Sequence, residues 1–234
     1  MEISMTCPVC SFEEQKVFTV RLKQQNDCVY TVNCPKGHEF KINILYHPFQ
    51  KLFEIAVYAI ADGYLREAVG SFAASYERFM ELFIRVVCKK RGLDAGKLDQ
   101  TWKLMSRLSE RQLGAFIFTH LMEFEEQPKT LREPAIKLRN RVIHQGYIPT
   151  ENEAIEYGND VMDCITSVLE RVIKSSDHQK VLIGAINEYG DFSCEGPRVT
   201  YLPYHMIGTN RTLNDPKKSV EDHVAIIRNQ RKQS

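Results

Sequence analysis

The stretch LREAVGSFAASYERFMELFIRVVCKKRG, residues 65–92, decides the fold. Its apolar side chains Ala68, Phe72, Tyr76, Phe79, Phe83 and Val87 recur at spacings of three and four, the period of one face of an α-helix. Lys89-Lys90-Arg91 places positive charge in the last turn, where it complements the helix dipole, and Gly92 supplies the stop. The same spacing begins upstream near Phe53, behind Pro48 as a first-turn residue, and Asp62-Gly63 breaks the region into two helices. Downstream, the pattern predicts helices over about 98–108, over about 110–124 with a stop before Pro128, and from near Pro134 to Gly146. Thr150-Glu151-Asn152-Glu153 is a capping box, in which the Thr oxygen accepts from an amide three residues on and Glu153 reaches back. The helix it opens carries Ile155, Val161, Ile165, Val168 and Val172. Residues 48–176 therefore read as a helical bundle with short connections, and the chain as mainly α.

Residues 1–47 have a different texture. Val17-Phe18-Thr19-Val20-Arg21-Leu22 and Cys28-Val29-Tyr30-Thr31-Val32 are strand-like, and Gln25-Asn26-Asp27 between them offers turn chemistry, which predicts a hairpin. Cys7-Pro8-Val9-Cys10 and Cys34-Pro35-Lys36-Gly37-His38 are paired ligand knuckles on tight turns. They predict a small β zinc ribbon with Cys7, Cys10, Cys34 and His38 around one structural Zn²⁺, Cys28 being the alternative to His38. A ribbon this short buries too little surface alone, so metal binding would supply its folding free energy.

Residues 177–234 read as a short mixed or β extension. Val181-Leu182-Ile183 and Val199-Thr200-Tyr201-Leu202 look like strands. Gly190, Gly196-Pro197, Gly208-Thr209-Asn210 and Asn214-Asp215-Pro216 look like turns. A short helix from about Ser219 leads into a basic end, 228–232, expected to be disordered. The net charge of +1 gives no global field for nucleic acid, so an RNA-binding patch must be local. There is no apolar run of about 18 residues and no secretion-signal pattern at the start, so neither a membrane span nor export is expected. Seven cysteines, several spaced as ligands, fit a reducing cytoplasm better than a disulfide framework.

Arg139-Asn140-Arg141-Val142-Ile143-His144 lies near the end of a predicted helix. Arg can stabilise charge on a phosphate, Asn can position a group, and His can move a proton near neutral pH. Asn140 and His144 are four apart and share a face, and the long Arg139 side chain can swing to the same phosphate. The pattern Arg-Asn-x-x-x-His resembles the active-site motif of the HEPN superfamily of ribonucleases. That resemblance, over roughly residues 50–176, implies an all-helical fold and a homodimer. It also implies a composite site that cleaves RNA (tRNA or mRNA) without a catalytic metal, in a toxin or phage-defence effector. A toxic enzyme must be restrained, and the zinc ribbon or residues 178–234 are the candidate controllers beside a regulatory protein partner of unknown identity. Gly146, two after His144, stands where toxins inactivated by nucleotidylation carry a Tyr. By the same resemblance the catalytic roles fall on His144, Arg139 and Asn140, with Glu77 as the acidic group from an earlier helix. Lys137, Arg141 and Gln145 would contact the RNA backbone. The alternatives are a catalytically silent RNA- or nucleotide-binding module and a zinc-ribbon adaptor. No nucleophile elbow and no glycine-rich phosphate loop points to another chemistry. His47, His120, His178, His205 and His223 read as structural or surface residues, and Glu123-Glu125-Glu126 as a solvated face.

Overall fold

A computed structural model describes residues 2–10, 16–23, 29–44, 47–187, 198–201, 206–207 and 218–232. Gln25-Asn26-Asp27, Cys28, His205 and the turn positions at 190, 196–197, 208–210 and 214–216 lie outside the described residues. The protein is mainly helical, with a small β portion at its N-terminus. The chain forms two compact units: Met1–His47 with Ile183–Tyr204, and Pro48–Leu182 with His205–Ser234. Residues 177–234 are thus divided between the two. No helix among the described residues is long and apolar enough to cross a membrane.

The first unit is a pair of small sheets. β1 (Glu2–Met5) runs antiparallel to β2 (Phe18–Arg21), with Met5 opposite Phe18. β3 (Val29–Asn33) runs antiparallel to β4 (Glu39–Ile44), from Val29 opposite Asn43 to Asn33 opposite Glu39. The expected hairpin between residues 17–22 and 28–32 is therefore not the pairing: β2 turns back to β1 and β3 goes forward to β4. The tight turn at 34–38 explains the second choice. Gly37, at φ +85°, lets its N–H reach Cys34 O at 2.8 Å, and the Cys34 N–H reaches His38 O at 3.0 Å. Tyr30 and Val32 alternate with exposed neighbours, and together with Ile3, Met5, Phe40 and Ile42 they form the core of this unit. Phe18 meets Phe40 edge to face at 6.4 Å. β5 (Arg198–Tyr201) joins β4 in parallel, from Lys41 opposite Arg198 to Ile44 opposite Tyr201.

The second unit is built on α1 (Pro48–Ala61) and α2 (Leu65–Lys90). Gly63 sits at φ +81° between them. Its N–H reaches Ile60 O and the Tyr64 N–H reaches Ala59 O, a Schellman closure of α1. The stripe read from the sequence is the buried one: Phe53 packs on Phe72 at 4.8 Å and Phe49 on Phe79 at 5.4 Å. Each such fully buried ring contributes about 1.5–3 kcal/mol by leaving water. Gly92, at φ +74°, ends α2 in the same way. α3 (Ala95–Met105) follows, then α4 (Ser109–Phe124), whose Phe116 packs on Phe83 at 5.5 Å. α5 (Glu133–Gln145) packs on α2 and on α6 (Glu151–Lys174). α6 opens with the complete capping box at Thr150 and Glu153.

Two expectations for the C-terminal region are corrected. Val181-Leu182-Ile183 is not a strand but part of α7 (Ser176–Asn187). His178, Leu182 and Ala185 are its buried positions among the described side chains, so a spacing of four and three outweighs a short run of β-formers. The basic end is ordered in α8 (Val220–Lys232), which buries Val220, Val224 and Ile227. Arg228 forks onto the Glu151 carboxylate with two bonds of 2.9 Å and also donates to Ile60 O.

Candidate active site and candidate metal centre

In the first unit, the two knuckles bring Cys7, Cys10, Cys34 and His38 to one point. Their ligand atoms all lie within 4.8 Å of one another. His38 Nδ1 is 3.8 Å from Cys7 Sγ, 3.4 Å from Cys10 Sγ and 3.6 Å from Cys34 Sγ. Cys7 and Cys34 are buried, and the Val9 N–H donates to Cys7 Sγ at 3.4 Å. Burial pushes the Cys34 thiol up, but the backbone N–H groups of His38 and Lys36 outweigh it and hold the group near 7. Burial and the neighbouring sulfurs of Cys7 and Cys34 push Cys10 up to about 11. Three sulfurs this close compete for negative charge, which a cation at their centre would relieve. The donor set can hold a metal ion.

In the second unit, α5 carries the other candidate group. Pro134 lies in its first turn, and Gly146 ends it at φ +71°, its N–H bonded to Arg141 O. Ala135, Leu138 and Val142 are the buried stripe. Arg139 lies at the margin of that stripe and is half-buried, while Asn140 and His144 are exposed. Arg139 Nη1 donates to Asn140 Oδ1 at 3.1 Å and lies 3.4 Å from His144 Nε2. Its Nη2 is 3.7 Å from Glu77 Oε1 on α2. The Arg139 guanidinium thus meets the other three residues expected to be catalytic, including Glu77, more than fifty residues earlier in the chain. A guanidinium only donates, so Nε2 would be the accepting nitrogen of this contact.

The three flanking residues separate from this group. Lys137 pairs with Glu133 at 3.1 Å, and Gln145 is exposed. Arg141 lies over the Tyr147 ring at 3.6 Å and 3.9 Å from Glu153. Glu153 accepts from the Thr150 N–H at 2.8 Å and from the Tyr147 hydroxyl at 3.0 Å. The Thr150 N–H, with Tyr147, Thr150 Oγ1 and Arg141, holds its carboxyl below the usual range and outweighs partial burial. This carboxylate braces the turn that carries the end of α5. Arg141 is therefore positioned on this brace, away from Arg139.

Sequence reasoning missed a cleft of about 160 Å³ that opens beside Arg139 and Asn140, between α2, α4, α5 and α6. Met80, Leu113 and Tyr157 line it, with Ser109 and Glu110 on the α4 wall. Tyr157 is fully buried and its hydroxyl has no hydrogen-bond partner among the described residues. No local pattern could have found a cavity assembled from four helices. The acidic triplet is a second revision, for it is not a uniform solvated face. The Glu123 carboxylate is only 5% exposed and takes Lys90 at 2.5 Å, Arg91 at 3.0 Å and His178 Nε2 at 2.7 Å. Burial pushes its pKa up, but those three donors outweigh it and hold the group below the usual range. Glu125 takes φ +58° at the end of α4, and Glu126 pairs with Arg171.

No family model matches the chain, and no curated protein or solved structure matches it.

Proposed function

We propose that the protein is a HEPN-type endoribonuclease whose homodimer cuts RNA by attack of a 2′-hydroxyl on the neighbouring phosphate. The observation that carries this reading is the contact of the Arg139 guanidinium with Asn140, His144 and Glu77 at once. Such cleavage needs a base for the 2′-hydroxyl proton, an acid for the departing 5′-oxygen, and positive charge on the phosphorane. His144 Nε2 takes the proton, and Arg139 stabilises the charge when the phosphate replaces one of its present partners. Asn140 fixes the guanidinium, and Glu77 holds it from the far side. The 2′-oxygen bonds to phosphorus as the 5′-oxygen leaves, giving a 2′,3′-cyclic phosphate and a 5′-hydroxyl. One imidazole cannot be acid and base in the same step, so a two-fold pair that sets two copies of α5 across one groove supplies the second. Ile136 and Ile143, 41% and 36% exposed on the same helix, offer that partner an apolar rim. Lys137, Arg141 and Gln145 would meet the RNA backbone beyond the reacting phosphate.

The first unit, in this reading, is a structural Zn²⁺ ribbon. Tetrahedral zinc with Zn–S of about 2.3 Å and Zn–N of about 2.05 Å sets sulfur and nitrogen about 3.6 Å apart. The three His38-to-sulfur distances of 3.4, 3.6 and 3.8 Å scatter around that value. A four-ligand set of this kind leaves no open position, so the metal would supply folding free energy and not a step at phosphate.

The test is cleavage of a labelled RNA pool in EDTA, with zinc retention checked by mass spectrometry. His144→Ala should lose about 10²–10⁴ of the rate, the range for removing a general acid–base group. A 1:1 mixture of wild type and His144→Ala should retain about a quarter of the wild-type specific rate if both copies serve one site. No cutting by wild type, or equal cutting by the variant, overturns the reading.

A further inference from the structure

We propose that the cleft beside Arg139 is a base-binding subsite that takes one unstacked guanine flanking the cut phosphate, with Glu110 reading it. The proposal rests on the ribonuclease reading for its substrate and on the cleft for its specificity. At about 160 Å³ the cleft is well below the roughly 300–1,000 Å³ of sites for drug-sized ligands, so it suits a single flat ring system. Its walls are largely apolar, from Met80, Leu113 and Tyr157, the surface on which an extruded base loses its stacking partners at least cost. The α5 wall is Arg139 and Asn140 themselves, so a nucleotide whose phosphate meets Arg139 has its base within reach of the opening.

Charge decides which part of the nucleotide enters. Glu77 and Glu110 line the cleft against one cation, Arg139 at its α5 wall, so with the phosphate held by Arg139 the remaining negative charge favours an uncharged ring inside. Glu77 is engaged by Arg139. Glu110 is exposed, accepts from Ser109 Oγ at a long 3.4 Å, and has no ion pair among the described residues. A carboxylate presents two acceptors side by side. Of the four RNA bases, only guanine offers two adjacent donors on its Watson–Crick edge, N1–H and the 2-amino group. Adenine and cytosine set an acceptor beside their amino group, and uracil flanks its single N–H with two acceptors. A bidentate, charge-assisted pair with Glu110 therefore selects guanine.

The test uses the full-length protein and fluorescein-labelled hexamers made uncleavable by a 2′-deoxy residue at the attacking position. The hexamers differ in one base: guanine, hypoxanthine (which lacks the 2-amino group) or adenine. Binding is read by anisotropy for wild type and Glu110→Gln, and cut sites are mapped separately on a randomised RNA. Wild type should bind the guanine hexamer about ten-fold more tightly than the adenine one, within the range of a good bidentate base contact. Hypoxanthine should fall between them, and Glu110→Gln should bring the three together with an unchanged helical spectrum. Equal binding of the three by wild type, no binding of any, or a guanine preference that survives Glu110→Gln overturns the subsite. Cutting at all bases alike overturns the subsite and keeps the ribonuclease. Guanine-selective binding without cutting keeps the subsite and overturns the ribonuclease.

Discussion

Gly158 in α6 is where the approach of α6 to α2 is set, and replacing it with alanine measures that approach. A Cβ there would stand 2.6 Å from both Cε2 and Cζ of Phe72, and 3.1 Å from Val220 Cγ2. Carbon contacts ordinarily lie at about 3.5–4.0 Å, so two ring atoms sit about 1 Å too close. Phe72 is fully buried and its ring is held by Phe53 at 4.8 Å, so it has little room to retreat. Helix propensity favours alanine by about 1 kcal/mol and burial of the methyl group adds about 0.8 kcal/mol. Overpacking costs typically 1–3 kcal/mol and sometimes more; with the neighbours fixed we take about 4 kcal/mol. The net is a loss of about 2 kcal/mol, a fall in Tm of about 4–8 °C at the usual 2–4 °C per kcal/mol for this size. Trp102, the one tryptophan and a buried residue of α3, reports melting of the helical unit by fluorescence. Gly114→Ala is the control. It lies inside α4 with nothing within 4 Å of the added carbon, so it should gain about 0.5–1 kcal/mol. A Gly158→Ala protein that melts at or above wild type would refute the close-packing argument. So would a double variant with Phe72→Leu in which the two losses simply add, because neighbours that clash must couple.

Other outcomes follow from the same structure. Cys34→Ser should abolish metal retention, from one ion per chain to none, as read by native mass spectrometry; full retention would remove the four-ligand centre. Glu153→Gln should cost about 1 kcal/mol in urea unfolding, the usual worth of an N-terminal cap, and on the proposed ribonuclease reading should slow cleavage by loosening the turn after His144. Glu123 has a folded pKa below its ordinary 4.5, so its stabilisation is complete above that pH and is lost as the pH falls through the folded value. Glu123→Gln should therefore lower the urea midpoint at pH 7 and leave a flatter acid limb below pH 4.5. An acid limb of unchanged slope would show that Lys90, Arg91 and His178 do not hold this carboxylate.

What could be read from the sequence was what a single element specifies. The stripe from Ala68 to Val87, the stops at Gly92 and Gly146 and the Thr150–Glu153 box are set by neighbours three or four residues away, and each is found where its pattern put it. The knuckles were legible for the same reason, since each pair closes over a turn of a few residues. Strand partners were not, because β2 and β3 have faces that suit several neighbours and nothing local names one. Arg139, Asn140 and His144 share a helix, so their proximity was written in their spacing. Glu77 was reached only through a family resemblance, and its 3.7 Å approach to Arg139 depends on how α2 and α5 pack. Glu123 looked like surface because its two acidic neighbours are; Lys90, Arg91 and His178, distant in sequence, give it a reason to be inside.

The third strand of the β3–β4 sheet comes from residues 198–201, although its neighbour β4 ends at Ile44. The ribosome therefore makes both knuckles and, among the described residues, β1 to β4 and then α1 to α7 before β5 exists. Closing a flexible loop of that length costs about 4–5 kcal/mol of chain entropy, so a nascent chain gains little from β5 until the intervening helices have collapsed and shortened the path. The four candidate ligands are all present early, while completion of the sheet waits for the rest of the chain. A product truncated before residue 198 would thus carry all four candidate metal ligands beside a sheet with an open edge, a template for pairing with another chain.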